Sequence, residues 1–296
     1  MHVFISSPTA KVLRGLKERR PDLKLNILLT AARLPREMEK FLTEFAPIIK
    51  SIAFDNGAFS AINSKLDITV DQLITRFTVH SSLHQDKYLM VFSPDFNFGP
   101  DGFEQNYEEL LNMEDAGIVA VPVIHNLKNH EAWSYSEDHP EFIAIGQSKR
   151  RLSPSNLFPV VFDLVEHHIN VHLFGITDFE LISGCPIFSC DSTSWLKDAN
   201  TGVIRFWNPE IKDRNKTDII YFPEELDKRR EDIKSRYDHP YIDVFEQYLQ
   251  EQLGLSMDQF IGSKDRQIYR QMALVLYYNT LEKVITELHL KEGFCL

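Results

Sequence analysis

Phe54-Asp55-Asn56-Gly57-Ala58-Phe59-Ser60 and Pro186-Ile187-Phe188-Ser189-Cys190-Asp191-Ser192-Thr193-Ser194-Trp195 each carry a short apolar strand into small polar residues, with an aspartate at the join. A parallel α/β barrel gathers such joins on one face, because side chains at the carboxyl ends of its strands converge there. Two carboxylates facing one pocket are the minimum equipment for cleaving a glycosidic bond with retention. Each aspartate alone also fits a plainer role, Asp55 as a turn residue before glycine and Asp191 as a helix N-cap. Their common setting is what points to a site.

Working outward, the chain from residue 25 alternates short apolar strands with helical stretches, the pattern of βα units and a parallel sheet. The candidate strands are Leu25–Thr30, Ser51–Phe54, Tyr88–Ser93, Ile118–Ile124, Phe142–Gly146, Val171–Gly175, Ile187–Cys190 and Val203–Trp207. Eight is the number that closes a TIM-type (β/α)8 barrel. Helices fit between them at Pro35–Phe45, Thr69–His80, Gly102–Ala116, Ser155–His167 and Thr177–Ser183. A doubly wound open sheet would want a glycine-rich phosphate turn after its first strand, and Leu28-Leu29-Thr30-Ala31-Ala32 has none. Past residue 208 charged helical text takes over, at Pro223–Tyr237, Pro240–Leu253, Met257–Ile261 and Lys264–Leu288. The expected division is a barrel over 1–208 and a helical C-terminal extension over 209–296, packed on it.

A chain of 296 residues with 43% hydrophobic content fills such a barrel, and no apolar run approaches a membrane span. The N-terminus lacks the continuous apolar segment of a signal peptide. The three cysteines, Cys185, Cys190 and Cys295, form no even set and no Cys-x-x-Cys, the pattern of a reducing compartment. A cytoplasmic protein is expected. A net charge of −11 argues against a broad nucleic-acid-coating surface. It leaves room for local cations such as Lys149-Arg150-Arg151, Lys197 and Arg205, although most short charge runs are simply solvated.

In order, five segments resemble the tRNA-guanine transglycosylase superfamily, especially its branch that inserts 7-deazaguanine bases into DNA. Phe54-Asp55-Asn56-Gly57-Ala58-Phe59 is similar to the family's Asp-Ser-Gly-(Gly/Ala)-Phe signature. Ser93-Pro94-Asp95 follows a strand where the family keeps a base-reading aspartate. Val121-Pro122-Val123-Ile124-His125 resembles the next strand, and Ile143-Ala144-Ile145-Gly146 resembles the Ile-Ala-Leu-Gly-Gly turn. Phe174-Gly175-Ile176-Thr177 through Trp195 resembles the closing stretch with the nucleophile. The resemblance covers about residues 25–207.

It implies base exchange at C1′ of a nucleotide, with no cofactor. Asp191 would form a covalent glycosyl intermediate as guanine leaves, Asp55 would manage protons on the outgoing and incoming bases, and Asp95 would accept from purine N1 and N2. Asn56, Gly57, Phe59, His125, Gly146 and Gln147 would line the substrate site. Lys149, Arg150, Arg151, Lys197 and Arg205 would meet phosphates.

The chain departs from the family at Asn56, where serine is usual, and at Gly146-Gln147, where the usual Gly-Gly allows close backbone approach. The tRNA enzymes also carry a Cys-x-Cys-x-x-Cys plus His zinc site, and no cysteine lies between Cys190 and Cys295. No metal is expected. DNA is favoured over tRNA, with a purine or 7-deazapurine base as co-substrate and a partner protein or homo-oligomer left open. Cys190 alternates away from Asp191 on a strand and reads as packing; His167, His168 and His172 read as surface or core polar groups. The alternatives are a hydrolytic N-glycosidase using the same aspartates and a catalytically silent nucleic-acid-binding subunit.

Overall fold

The structure is a computed structural model that describes residues 1–57, 68–97, 99, 102–128, 130–146, 152–224 and 232–294. Eight parallel strands alternate with helices in a TIM-type (β/α)8 fold. In chain order they are β1 (His2–Ser6), α1 (Ala10–Arg19), β2 (Leu25–Thr30), α2 (Met38–Phe45), β3 (Ile49–Asp55), α3 (Val70–His84), β4 (Met90–Val91) and α4 (Phe103–Asp115). The second half holds β5 (Val123–Ile124), α5 (Glu131–Ser136), β6 (Phe142–Ile145), α6 (Pro154–Glu166), β7 (Asn170–Leu173), α7 (Phe179–Ser183), β8 (Ser189–Ser192) and α8 (Ser194–Thr201). The sheet runs β4-β3-β2-β1-β8-β7-β6-β5. A parallel bridge between Phe92 and Val121 joins its two edges, with Ser93 N donating to Val121 O at 2.8 Å and Val121 N to Val91 O at 2.7 Å.

The period-2 alternation of strand side chains separates two cores. Phe4, Leu28, Ala53, Met90, Phe92, Val123, Phe142 and Ala144 fill the barrel interior. Val3, Ile5, Ile27, Leu29, Phe54, Ile143, Leu173 and Cys190 face the helices. Helix starts follow local chemistry. Thr69 and Gln72 make a capping box for α3, and Ser153 with Asn156 does so for α6, which has Pro154 at its start.

Two strands differ from the expected set. The barrel begins at His2–Ser6, and Val203–Trp207 lies outside it as β9, paired antiparallel with β10 (Thr217–Tyr221). Gly202, at φ +74°, turns the chain out of α8 into this ribbon. Beyond it stand α9 (Ile242–Leu253), α10 (Met257–Gly262) and α11 (Arg266–Glu292). The helix expected over Pro223–Tyr237 does not form in its described part; Ser235 instead bridges Tyr221 alongside β10. Residues 225–231 lie outside the described set.

The 27-residue α11 packs against β1 and β9 and beside α1, α7 and α8, so it helps complete the helical layer around the barrel. Tyr278 hydroxyl meets the hydroxyls of Ser192 and Ser194, both at 3.1 Å. Near the amino ends of the strands, Glu282 accepts from Val3 N at 2.9 Å and Asn26 Nδ2 at 2.6 Å, with Lys50 Nζ at 3.3 Å. Among the described residues no helix is long and apolar enough to cross a membrane.

Candidate active site

Asp191 lies on β8 beside Phe4 of β1 in the parallel register, and its side chain is on the inner face while Cys190 faces the helices. It is 2% exposed. Ser6 Oγ donates to its Oδ2 at 2.6 Å, and the Gly175 N–H donates to its Oδ1 at 2.7 Å. Gly175, in the loop after β7, has φ +65°, a conformation that favours glycine. Both donors come from strand ends, so the barrel itself orients this carboxylate.

Asp55 closes β3. Gly57 N donates to its Oδ2 at 3.0 Å, and Gly57 has φ +80° with Ala32 packed where a side chain would stand. Burial, followed by the charges of Asp95 and Asp191, pushes the Asp55 carboxyl well above the ordinary range. The structure thus brings Asp55, Asp95 and Asp191 into one electrostatic neighbourhood on the carboxyl face. A carboxyl whose affinity for its proton is raised in this way has the character of a general acid.

This shift has a consequence for stability. The folded chain binds the Asp55 proton more tightly than the unfolded chain, whose carboxyl titrates at about 3.9. The associated stability is present below that value and is lost as pH rises toward the elevated folded value. Asp55→Asn is therefore expected to raise the denaturation midpoint at pH 7.5 and to give no such gain near pH 4. Equal or lower stability of the variant at pH 7.5 would contradict the electrostatic reading of this site.

Asn56 Nδ2 donates to Ser93 O at 3.2 Å and Asp95 Oδ1 at 2.9 Å, joining the ends of β3 and β4. Asp95 Oδ2 stands 3.2 Å from His125 Nε2. His125 follows β5, where Glu131 Oε2 accepts from its backbone N at 2.7 Å and from Asn126 N at 3.0 Å. Gly146, after β6, is required by this ring: a Cβ there would come within 2.7 Å of His125 Cε1. Asn56, Asp95, His125 and Gly146 therefore form a contiguous polar wall.

Phe59, Gln147, Lys149, Arg150 and Arg151 lie outside the described residues. Lys197 is on the exposed side of α8. Arg205, on β9, donates through Nε to Asp198 at 2.8 Å. It borders a cleft of about 690 Å³ that also includes Gly175, Thr177, Ser194 and Tyr278. The cleft thus adjoins the loop that holds Asp191. Phe92 is wholly buried among His172 and Phe174, at 4.7 and 4.4 Å between centroids, so it belongs to the interior packing.

Two residues of the site, Ser6 and Glu131, carry no reading from sequence, and His172, expected as a surface or core polar group, is a core one beside Asp191. His172 is fully buried, with Nδ1 2.8 Å from Ser189 Oγ and Nε2 3.7 Å from Asp191 Oδ1. Strand alternation carries a signal for it, since 172 and 174 share one face of β7. Ser6 closes His2–Ser6, a strand outside the expected set, so no strand-end signal marks it. Among the described residues, no group of three or more His, Cys, Asp or Glu side chains is arranged to hold a metal.

No family model matches the chain, and no curated protein matches it. Among solved structures, it is similar to a candidate fructose-1,6-biphosphate aldolase from Coccidioides immitis, with 10% identity and a TM-score of 0.50, over 99% of this chain and 92% of that one. At that identity the likeness is one of fold, and it places the chain among TIM-type barrels.

Proposed function

We propose that the protein is a guanine transglycosylase-like pentosyltransferase that exchanges guanine for a 7-deazaguanine base in nucleic acid, with DNA the favoured substrate. One observation carries the reading: Asp191 is oriented by Ser6 and Gly175 within the field of Asp55, whose own carboxyl is pushed up by burial and by its acidic neighbours. The sequence resemblance assigns the same residues to nucleophile and proton carrier.

In this mechanism an Asp191 oxygen attacks C1′ as the bond from C1′ to guanine N9 breaks and its electron pair leaves with the base. Asp55 supplies the proton that neutralises the departing guanine. The incoming base then gives its N9 proton to the Asp55 carboxylate and attacks C1′, which releases Asp191. The developing oxocarbenium charge lies against the Asp191 carboxylate throughout. The donors on Asp191 leave each oxygen a further lone pair, so orientation does not exhaust its capacity to react. The wall of Asn56, Asp95 and His125 offers acceptors and donors for a purine edge.

The test is incubation with labelled guanine and, separately, DNA and tRNA, followed by nucleoside mass spectrometry. Label entering the DNA nucleoside pool is the expected result. Release of free base without incorporation would favour the hydrolytic alternative. Nucleic-acid binding with neither exchange nor release would favour a silent binding subunit, a role that the nearly complete burial of Asp191 would also suit.

A further inference from the structure

Arg270, near the start of α11, is 3% exposed, and its Nε has no hydrogen-bond partner. Among the described residues no carboxylate forms an ion pair with it. Burial pushes its guanidinium below the ordinary value, and the charges of Arg266 and Arg236 push it further; Glu224 acts in the opposite direction. Arg236 lies beside the end of β10, where its backbone N donates to Tyr221 O at 2.9 Å. Its Nε is likewise buried without a partner, while its guanidinium lies over the Tyr237 ring at 4.5 Å. Arg266 Nη2 is 3.5 Å from Glu224 Oε1, and among the described residues Glu224 is the carboxylate whose charge reaches Arg270.

Three separate penalties meet here. An arginine cannot shed its charge at physiological pH, and burying that charge without a partner is strongly unfavourable. Arg266 and Arg270 stand four residues apart on one helix, where like charges repel. Both also lie in the opening turns of a 27-residue helix, the end whose dipole opposes cations. A single anion relieves all three. Gly202 adjoins this group: a Cβ there would lie 3.6 Å from Arg270 Nη1, an ordinary contact, while its clash would be with Phe222 O at 2.3 Å.

We infer that Arg236, Arg266 and Arg270 form a phosphate-binding site between the end of the β9–β10 ribbon and the start of α11. Guanidinium forks match the oxygens of a tetrahedral phosphate, and Arg270, buried with its Nε unpartnered, is a cation that a phosphate dianion would satisfy. The phosphate is either free or carried on a nucleic-acid chain. The site stands apart from the Asp191 chemistry, so its test does not depend on base exchange.

The test uses the full chain and the variant Arg270→Met, comparing thermal unfolding in sodium phosphate with sodium chloride at matched ionic strength. Phosphate should raise the wild-type midpoint. R270M should be at least as stable as wild type without phosphate, because it removes an uncompensated buried charge. Its phosphate affinity should fall about ten- to a hundredfold. The double variant Arg236→Gln/Arg266→Gln, altered at less buried positions, should lose most of the phosphate response while remaining folded.

Fluorescence anisotropy with a single-stranded oligonucleotide, with and without a 5′-phosphate, separates the sources. A gain from the 5′-phosphate identifies a terminal group. Equal binding of both that phosphate competes and R270M weakens identifies the backbone. No oligonucleotide binding leaves free phosphate. A wild-type midpoint insensitive to phosphate overturns the inference, as does an R270M chain that is destabilised or unfolded, or a double variant with an undiminished response.

Discussion

Asp191→Asn is expected to lower base exchange by at least about a thousandfold while leaving the chain folded. The amide cannot form the glycosyl ester at a useful rate, and removal of a covalent nucleophile costs several orders of magnitude in comparable enzymes. The fold should persist because the amide is nearly isosteric. Its oxygen can still accept from Gly175 N, and its NH2 can donate to the Ser6 hydroxyl, which now serves as acceptor. Rates of labelled-guanine incorporation, measured with the unfolding midpoint of the same preparation, check both halves. Exchange at the wild-type rate in Asp191→Asn would remove the nucleophile from this site and the mechanism with it.

The second large effect is on stability, at the opposite end of the barrel. Glu282 is 8% exposed and ties α11 to the amino ends of β1 and β2 through Val3 N and Asn26 Nδ2. Glu282→Ala strips both donors of their acceptor and leaves Lys50 without its partner at 3.3 Å. Each unsatisfied buried group costs about 1–3 kcal/mol, so a loss of roughly 3 kcal/mol or more is expected. Glu282→Gln keeps a carbonyl acceptor and should fall between wild type and alanine. Denaturant titration at neutral pH measures the series. An alanine variant within about 0.5 kcal/mol of wild type would show that packing alone seats α11.

Asp55 and Asp191 could be named from sequence because strand ends announce themselves, as an apolar run followed by small polar residues, whereas Asp95 entered through the family resemblance. Seven of the eight barrel strands were legible on the same grounds. Val203–Trp207 was read as the eighth because its apolar text looks like a barrel strand. Nothing local distinguishes it, since what excludes it is the antiparallel partner Thr217–Tyr221. His2–Ser6 is a five-residue strand at the start of the chain, and its role emerges from its two neighbours, β2 and β8.

By itself, then, the sequence determined the alternation of strand and helix, the barrel class and the aspartates at the strand ends, because these depend on residue type and spacing within a few positions. Tertiary structure alone decided which strand closes the barrel, that Ser6 and Gly175 hold Asp191, and that Gly146 makes way for His125. It also decided that Arg270 is buried and that the charge of Arg236 reaches it. Those facts join residues as far as 185 positions apart, as Ser6 and Asp191 are. Pairing at such separations follows from chain closure and packing, and no local pattern of side chains encodes it.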